Sequence, residues 1–218
     1  MTILQLIQEN WLVLIAAMGK TLELTFFSLV IASVLGIVFG LFNVSNSKIL
    51  HVIANIYINV IRGVPLIVLG FFIYFGIPMA FGIQLSSIVA GVAALSLNAG
   101  AYMAEIVRAG IQSVDKGQME AARSLGLSYG KSMRKVVLPQ AIRTMIPSII
   151  NQFIISLKDT SILSVIGLAE MVKTGQIIIA RTFQPFNVWL IVGAMYLIVI
   201  TILSLIARRI ERRLSYAK

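Results

Sequence analysis

Glu120-Ala121-Ala122-Arg123-Ser124-Leu125-Gly126, running on to Val136-Val137-Leu138-Pro139, is a polar-leaning island in a chain otherwise suited to lipid. Ahead of it, Asp115-Lys116-Gly117-Gln118 has the Asp-x-x-Gln form of a capping box, whose reciprocal side-chain and backbone bonds start a helix. Met119 to Leu125 is a good helix-forming run, and Gly126 stands where a left-handed glycine ends a helix. The pattern predicts a helix about 15 Å long, low-profiled where it carries Ala121 and Ala122, then a sharp turn and a new helix opened by Pro139. From the chemistry alone, an ordinary loop helix and a docking helix carry equal weight.

Around the island, composition decides the solvent. Of 218 residues 59% are hydrophobic and only 12% charged, with a mean hydropathy of +0.96; a soluble domain carries about 25% charged residues. No cysteine is present, so disulfides and thiolate metal sites are excluded, and the single histidine, His51, cannot build a cluster. The net charge of +10 falls in particular loops rather than along one stripe, which fits membrane orientation better than nucleic acid.

Gaps between charges mark the spans. Residues 24–47 and 182–207 hold no charge, and each exceeds the ~20 residues that cross a hydrocarbon core of ~30 Å. The uncharged run 63–104 suits two spans, with turn chemistry in Phe81-Gly82-Ile83-Gln84-Leu85-Ser86-Ser87. A fifth region is broken: residues 144–157 are largely apolar, Lys158-Asp159-Thr160-Ser161 intervene, and residues 162–169 are apolar again. The expected architecture is an all-α integral membrane protein, one transmembrane domain over 1–218. Its spans fall at about 20–45, 52–80, 86–111, 139–170 (broken) and 184–208, with a loop at 115–139. The first twenty residues lack the basic start and cleavage site of a secretory signal and read as an interfacial helix anchored by Trp11.

Lysine and arginine set the orientation. Lys48, the seven from Arg108 to Arg143, and the tail cations Arg208, Arg209, Arg212, Arg213 and Lys218 make thirteen on one side. Only Lys20, Lys173 and Arg181 lie on the other, with Arg62 and Lys158 set aside as within or beside spans. The positive-inside rule puts the thirteen in the cytoplasm, the N-terminus outside and the C-terminus inside.

The island resembles the cytoplasmic loop of bacterial ABC importer permeases: Glu-Ala-Ala, three residues, Gly, nine residues, then Ile-x-Leu-Pro. Glu120, Ala121, Ala122, Gly126, Leu138 and Pro139 match at that spacing, with Val136 where Ile is usual. Arg62-Gly63-Val64-Pro65-Leu66, Leu97-Asn98-Ala99-Gly100-Ala101-Tyr102-Met103-Ala104-Glu105, Lys116-Gly117-Gln118 and Lys158-Asp159-Thr160-Ser161 are similar to the polar amino-acid permeases, with Val64 where Thr is common. The resemblance implies the type I importer permease fold of five spans, with this segment of the coupling loop 115–139 as the coupling helix that seats in an ATPase subunit. It implies a non-catalytic subunit in the cell membrane, paired with an identical or related permease and served by an extracytoplasmic amino-acid-binding protein. It also implies no cofactor in this chain, since ATP and Mg²⁺ belong to the ATPase. Gly126-Leu127-Ser128-Tyr129-Gly130-Lys131-Ser132 imitates a phosphate-binding loop, but its leading glycine is one residue too close and no strand precedes it.

Polar groups inside apolar spans are costly and therefore candidate substrate contacts. Asn98, Tyr102 and Glu105 share one helical face, with Arg108 one turn on to pair with Glu105. In the broken region, a helix N-terminus at Thr160 or Ser161 would hold an α-carboxylate, while Asp159, Glu170 and Glu105 would answer a cationic group. Those carboxylates tilt the expected cargo, a polar amino acid, towards basic ones. The alternative function is a self-contained ion-coupled transporter or channel using Asp159 and Glu105. Gly36 and Gly40 form a close-packing pair expected to serve packing within the subunit.

Overall fold

A computed structural model describes residues 2–215, with side-chain surroundings through Ile210; Lys218 and the side chains of Arg212 and Arg213 lie outside the described residues. Every regular element described is helical. Helix α1 (Ile3–Asn43) starts on a complete capping box: Thr2 Oγ1 accepts from Gln5 N at 3.3 Å, and Gln5 Oε1 accepts from Thr2 N at 2.9 Å. The expected boundary near residue 20 is absent. No proline lies in this stretch, and Lys20 and Glu23 pair across one turn at 3.0 Å instead of ending the helix. At 1.5 Å per residue α1 is about 60 Å long, so only part of it lies in hydrocarbon.

The expected span 52–80 is bent. Helix α2 (Lys48–Gly63) meets α3 (Leu66–Phe71) at a sharp break, and a π-helical turn (Phe72–Gly76) then leads into α4 (Ile77–Phe81). Across Val64-Pro65 the path turns by 103°. Proline excludes helical backbone from the residue before it, and Val64 is extended at φ −104°, ψ 130°. Gly82, at φ 65°, ends α4 in the left-handed region, and Ser86 Oγ accepts from Val89 N at 3.3 Å to begin α5 (Ser87–Gln112).

After α5 come α6 (Lys116–Ser124), α7 (Tyr129–Ser132), a second π turn (Met133–Val137) and α8 (Leu138–Asp159). A 3₁₀ turn (Thr160–Ile166), α9 (Met171–Thr182) and α10 (Pro185–Ser215) complete the chain. Pro139 does not open a helix, as the sequence leads one to expect. It lies inside a continuous rod, Tyr129–Ile166. Both π turns end two residues before a proline, Pro78 or Pro139. A proline ring crowds the carbonyl four residues back and donates no hydrogen bond; the wider i→i+5 turn moves those carbonyls aside, so the rod passes through.

Ile3–Asn43, Ser87–Gln112, Tyr129–Ile166 and Pro185–Ile210 are each long and apolar enough to cross a membrane. The bent pair Lys48–Gly63 and Leu66–Phe81 makes a fifth if counted as one span. The main seam is between α1 and α5, which run parallel: Ala32 packs with Ala99, Gly36 with Met103 and Gly40 with Val107. A second core joins Leu66, Leu69 and Ile73 to Ala94, Leu163 and Leu168. A third holds Leu6, Leu14 and Met18 against Met171, Ile178 and Val188. Phe26, Ile31, Val34, Leu197, Ile202 and Leu205 are exposed, an aggregation liability in water but the matching surface for acyl chains.

A methyl group added at Gly36 would sit 2.4 Å from Met103 Cβ, whereas one at Gly19 meets nothing within 4 Å. Gly36→Ala is expected to lower the melting temperature of the detergent-purified protein, reflecting a destabilisation of about 1–3 kcal/mol. Gly19→Ala is expected to leave it unchanged or raised. Equal behaviour of the two variants would remove the seam's claim to close packing.

Candidate functional site

Helix α6 begins where Asp115 Oδ1 accepts from Gly117 N at 2.7 Å. The expected capping box is not made: Asp115 binds the Gly117 amide rather than that of Gln118. Nor does Gln118 reach back, its Oε1 accepting from Gln140 Nε2 at 3.3 Å, which ties α6 to α8. Gly126, at φ 81°, ends the helix. Leu127 N donates to Ala122 O at 3.2 Å and Gly126 N to Arg123 O at 3.0 Å, the paired bonds of a Schellman cap. Glu120 and Ala121 face solvent, but Ala122 turns inward, so the low outer face is narrower than the sequence implied. Leu125, 85% exposed, stands out at the helix end and was not singled out by sequence. Leu138 packs on the cluster of Val107, Ile111, Val137, Ala141 and Met145, and Pro139 is exposed.

Within the spans, Tyr102 and Glu105 line an open cleft of ≈ 450 Å³ with Ile106, Pro147, Ser148, Asn151 and Gln152. Glu105 is not a free carboxylate. It accepts from Arg108 Nε at 3.0 Å and from Arg108 Nη2, and Arg62 Nη1 lies 3.8 Å away. Arg108 Nη1 also donates to Gln112. The Arg62 guanidinium sits 5.2 Å from the Tyr102 ring centroid, within cation–π range. Two guanidinium groups against one carboxylate leave this side of the cleft with a net positive charge. Asn98 lies a turn before Tyr102, 7% exposed and outside the cleft lining. Next to it the Tyr57 hydroxyl donates to Leu97 O at 2.8 Å.

Sequence reading passed over Arg62, Ser148, Asn151 and Gln152. The available signal was the pair of amides at 151 and 152 in a run taken as apolar. Arg62 carried a signal as a charge within or beside a span, but its partners Tyr102 and Glu105 lie far along the chain.

No helix N-terminus exists at Thr160 or Ser161. Thr160 Oγ1 donates to Leu157 O at 2.7 Å and Ser161 Oγ to Lys158 O at 2.6 Å, so both hydroxyls bind carbonyls of the turn they continue. The helix N-terminus of this region is at Met171, and Glu170 caps it. Glu170 is fully buried, accepting from Val172 N at 2.9 Å, Lys173 N at 2.7 Å and the Tyr196 hydroxyl at 3.2 Å. Met171 N donates to Thr21 Oγ1 at 3.1 Å. Glu170 therefore joins α9 to α10, its neighbour Met171 ties the same turn to α1, and both carboxylate oxygens are committed. Asp159 is partly exposed, about 10 Å along the rod from Gln152, and makes no ion pair with Lys158 or any other described residue.

The chain thus combines segments long and apolar enough to cross a membrane, an open polar cleft among them and a capped helix outside them. Residues 32–216 match the family described as binding-protein-dependent transport system inner membrane component, and the chain belongs to it. It is 42% identical over 203 residues to the glutamine transport system permease protein of Escherichia coli (strain K12), covering 93% of each chain. It is 38% identical over 202 residues to the arginine transport system permease protein of Bacillus subtilis (strain 168), covering 93% of this chain and 92% of that one. Its structure is similar to that of an amino acid ABC transporter solved with histidines, at TM-score 0.92 and 40% identity, covering 98% of this chain and 99% of that one. An inward-facing methionine ABC transporter, at TM-score 0.81 and 20% identity, shares the fold. The chain is accordingly a multi-pass inner-membrane permease of an ABC importer, a non-catalytic subunit that works with an ATPase and a binding protein.

Removing the Glu170 side chain deletes a helix cap and one acceptor of the Tyr196 hydroxyl. Glu170→Ala is expected to cost about 0.5–2 kcal/mol, read as a lowered melting temperature, whereas Asp159→Asn shifts it by less than about 0.5 kcal/mol. A Glu170→Ala protein as stable as the parent would remove its role as a structural tie.

Proposed function

We propose that the chain is a single transmembrane domain that imports polar amino acids, forming half of a translocation path with an identical or related second permease. Glu120, Ala121, Ala122, Gly126, Leu138 and Pro139 form the site gripped by the ATPase, which holds ATP and Mg²⁺. The N-terminus lies outside and the C-terminus in the cytoplasm, a reading supported by thirteen cations against three. Support for the cargo class comes from the glutamine and arginine permeases and the histidine-bearing transporter to which the chain is similar.

The observation that carries the reading is the polar cleft between α5 and α8 joined by one rod to the capped helix α6. An amino acid's α-carboxylate suits the positive side at Arg62 and Arg108. Tyr102, Asn151 and Gln152 offer hydrogen bonds to a polar side chain. Asn98, Asp159 and Ser161 complete the candidate substrate contacts, while Thr160, fully buried with its hydroxyl on Leu157 O, supports the turn beneath them. The tilt towards basic cargo weakens. Glu105 is answered by two arginines and Glu170 is held as a cap, leaving Asp159 as the uncommitted acid. A neutral amide side chain therefore fits the cleft better, with a cation at Asp159 as the second reading.

Two measurements test this. Charge reversal by Glu120→Lys is expected to abolish co-purification with the ATPase while the permease stays folded; retention of the ATPase would sink the docking assignment. In proteoliposomes carrying the complete importer, glutamine is expected to compete with cargo uptake at least as well as arginine, and Asp159→Asn to weaken arginine competition about tenfold while sparing glutamine. Unchanged competition by both would rule Asp159 out as a cargo contact.

A further inference from the structure

We infer that Lys131 at the end of α7 and Arg134 and Lys135 on the second π turn, beside the docking helix, form a binding surface for anionic phospholipid headgroups. All three are exposed, and none takes part in an ion pair among the described residues. No acidic residue occurs between Glu120 and Asp159, so the segment itself supplies no counter-charge. Their opposite face is fixed: Met133 and Val137 pack on Val107, Ile111 and Met145. The cations must therefore point away from the helix bundle.

What they meet there follows from the surface next to them. Pro139 and Ile142, just along the rod, are exposed, and Ile142 lies on a segment long and apolar enough to cross a membrane. From Lys135 to Ile142 is about 10 Å of helix rise, which sets the cations at headgroup depth when Ile142 lies at the edge of the hydrocarbon. Long basic side chains there keep their stems on apolar surface and their charges among phosphates. Helix α10, which packs on α8, repeats the arrangement: exposed Leu205 and Ile206 are followed by exposed Arg208 and Arg209. A flat bilayer of anionic lipid can engage several such cations together.

The consequence concerns regulation. Gln118 of α6 is bonded to Gln140, five residues beyond Lys135 on the same rod. A lipid held at 131–135 thus sets the height and tilt of the segment that carries α6, and the transporter's ATPase coupling depends on anionic lipid. This step rests on the docking role of α6, whereas lipid binding itself does not.

The test uses the complete detergent-solubilised importer titrated with fluorescent phosphatidylglycerol, and with the phosphatidylcholine analogue for comparison. Phosphatidylglycerol is expected to bind more tightly, and the triple change Lys131→Gln, Arg134→Gln, Lys135→Gln to raise its Kd about tenfold or more. High salt is expected to do the same to the parent. The charge-preserving set Lys131→Arg, Arg134→Lys, Lys135→Arg is expected to bind as the parent does. Unchanged phosphatidylglycerol binding by the glutamine variant would overturn the proposal. So would loss of the ATPase from that variant with lipid binding intact, since the cations would then face the ATPase. The Glu120→Lys permease, freed of its ATPase, should still bind phosphatidylglycerol, which separates failure of the lipid surface from failure of the docking assignment.

Discussion

The parallel seam between α1 and α5 governs everything else in this chain. Lipid gives helices no hydrophobic reason to associate, so close contact depends on small residues that let backbones approach. Gly36 and Gly40 supply that approach, and Ala99, Gly100 and Ala104 answer on α5. Two neighbouring spans that run the same way need a return between them, and the bent path α2–α4 is that return. The seam ends in a polar clasp where Asn43 Nδ2 donates to Asn55 Oδ1 at 2.8 Å and Asn43 O lies 2.6 Å from His51 Nδ1. With one side of α5 fixed by α1, its polar face is left for α2 and α8. That is why Arg62 can reach Tyr102 and Glu105, and why Asn151 and Gln152 close the cleft opposite.

A second constraint acts on the backbone. Within hydrocarbon each N–H and C=O must find a partner inside the protein; Pro147 is carried inside α8, and three further prolines stand at 65, 78 and 139. The chain resolves them in two ways. At Pro65 the helix stops and turns, with Val64 extended. At Pro78 and Pro139 a π turn precedes the ring and the helix continues. Proline alone does not announce which outcome follows. The difference lies in tertiary context: at Pro65 the buried Leu66 and Leu69 pull the chain onto Leu163 and Leu168, while Val137 and Ala141 on either side of Pro139 pack on one continuous surface.

Much of this was legible in the sequence, for identifiable reasons. Charge-free runs are governed by solvent, so the helical, lipid-matched architecture follows from them directly. The end of α6 was readable because Gly126 must adopt positive φ, a local requirement. The N-cap at Asp115 was readable, but the capping box is not made, since Gln118 pairs with Gln140, a residue no local pattern links to it. The candidate substrate site was less legible because its chemistry depends on who answers whom across helices. Glu105 and Glu170 looked like ligands until Arg62, Arg108 and the amides of Val172 and Lys173 were seen to satisfy them. Thr160 and Ser161 suggested a helix start because polar residues break hydropathy. Their hydroxyls instead bond back to carbonyls at Leu157 and Lys158, which lets the helix tighten without breaking.

The rod Tyr129–Ile166 makes a mechanical connection that neither site provides by itself. Its first turns carry the cations beside the headgroups, its Gln140 holds α6, and its middle supplies Pro147 to Gln152 on the cleft. Its far end packs Leu163 and Ile166 onto α3 and α5. Packed helices have low compressibility and discrete arrangements, so displacement of α6 by a partner cannot be absorbed within the short turn 125–128 alone. Either the π turn at 133–137 flexes or the rod moves as a body. A π turn is the weakest-bonded part of such a rod, yet here Val137 and Met133 clamp it against α5. The clamp favours movement of the whole rod against the α1–α5 seam, and the cleft between α5 and α8 is the space whose width that movement changes.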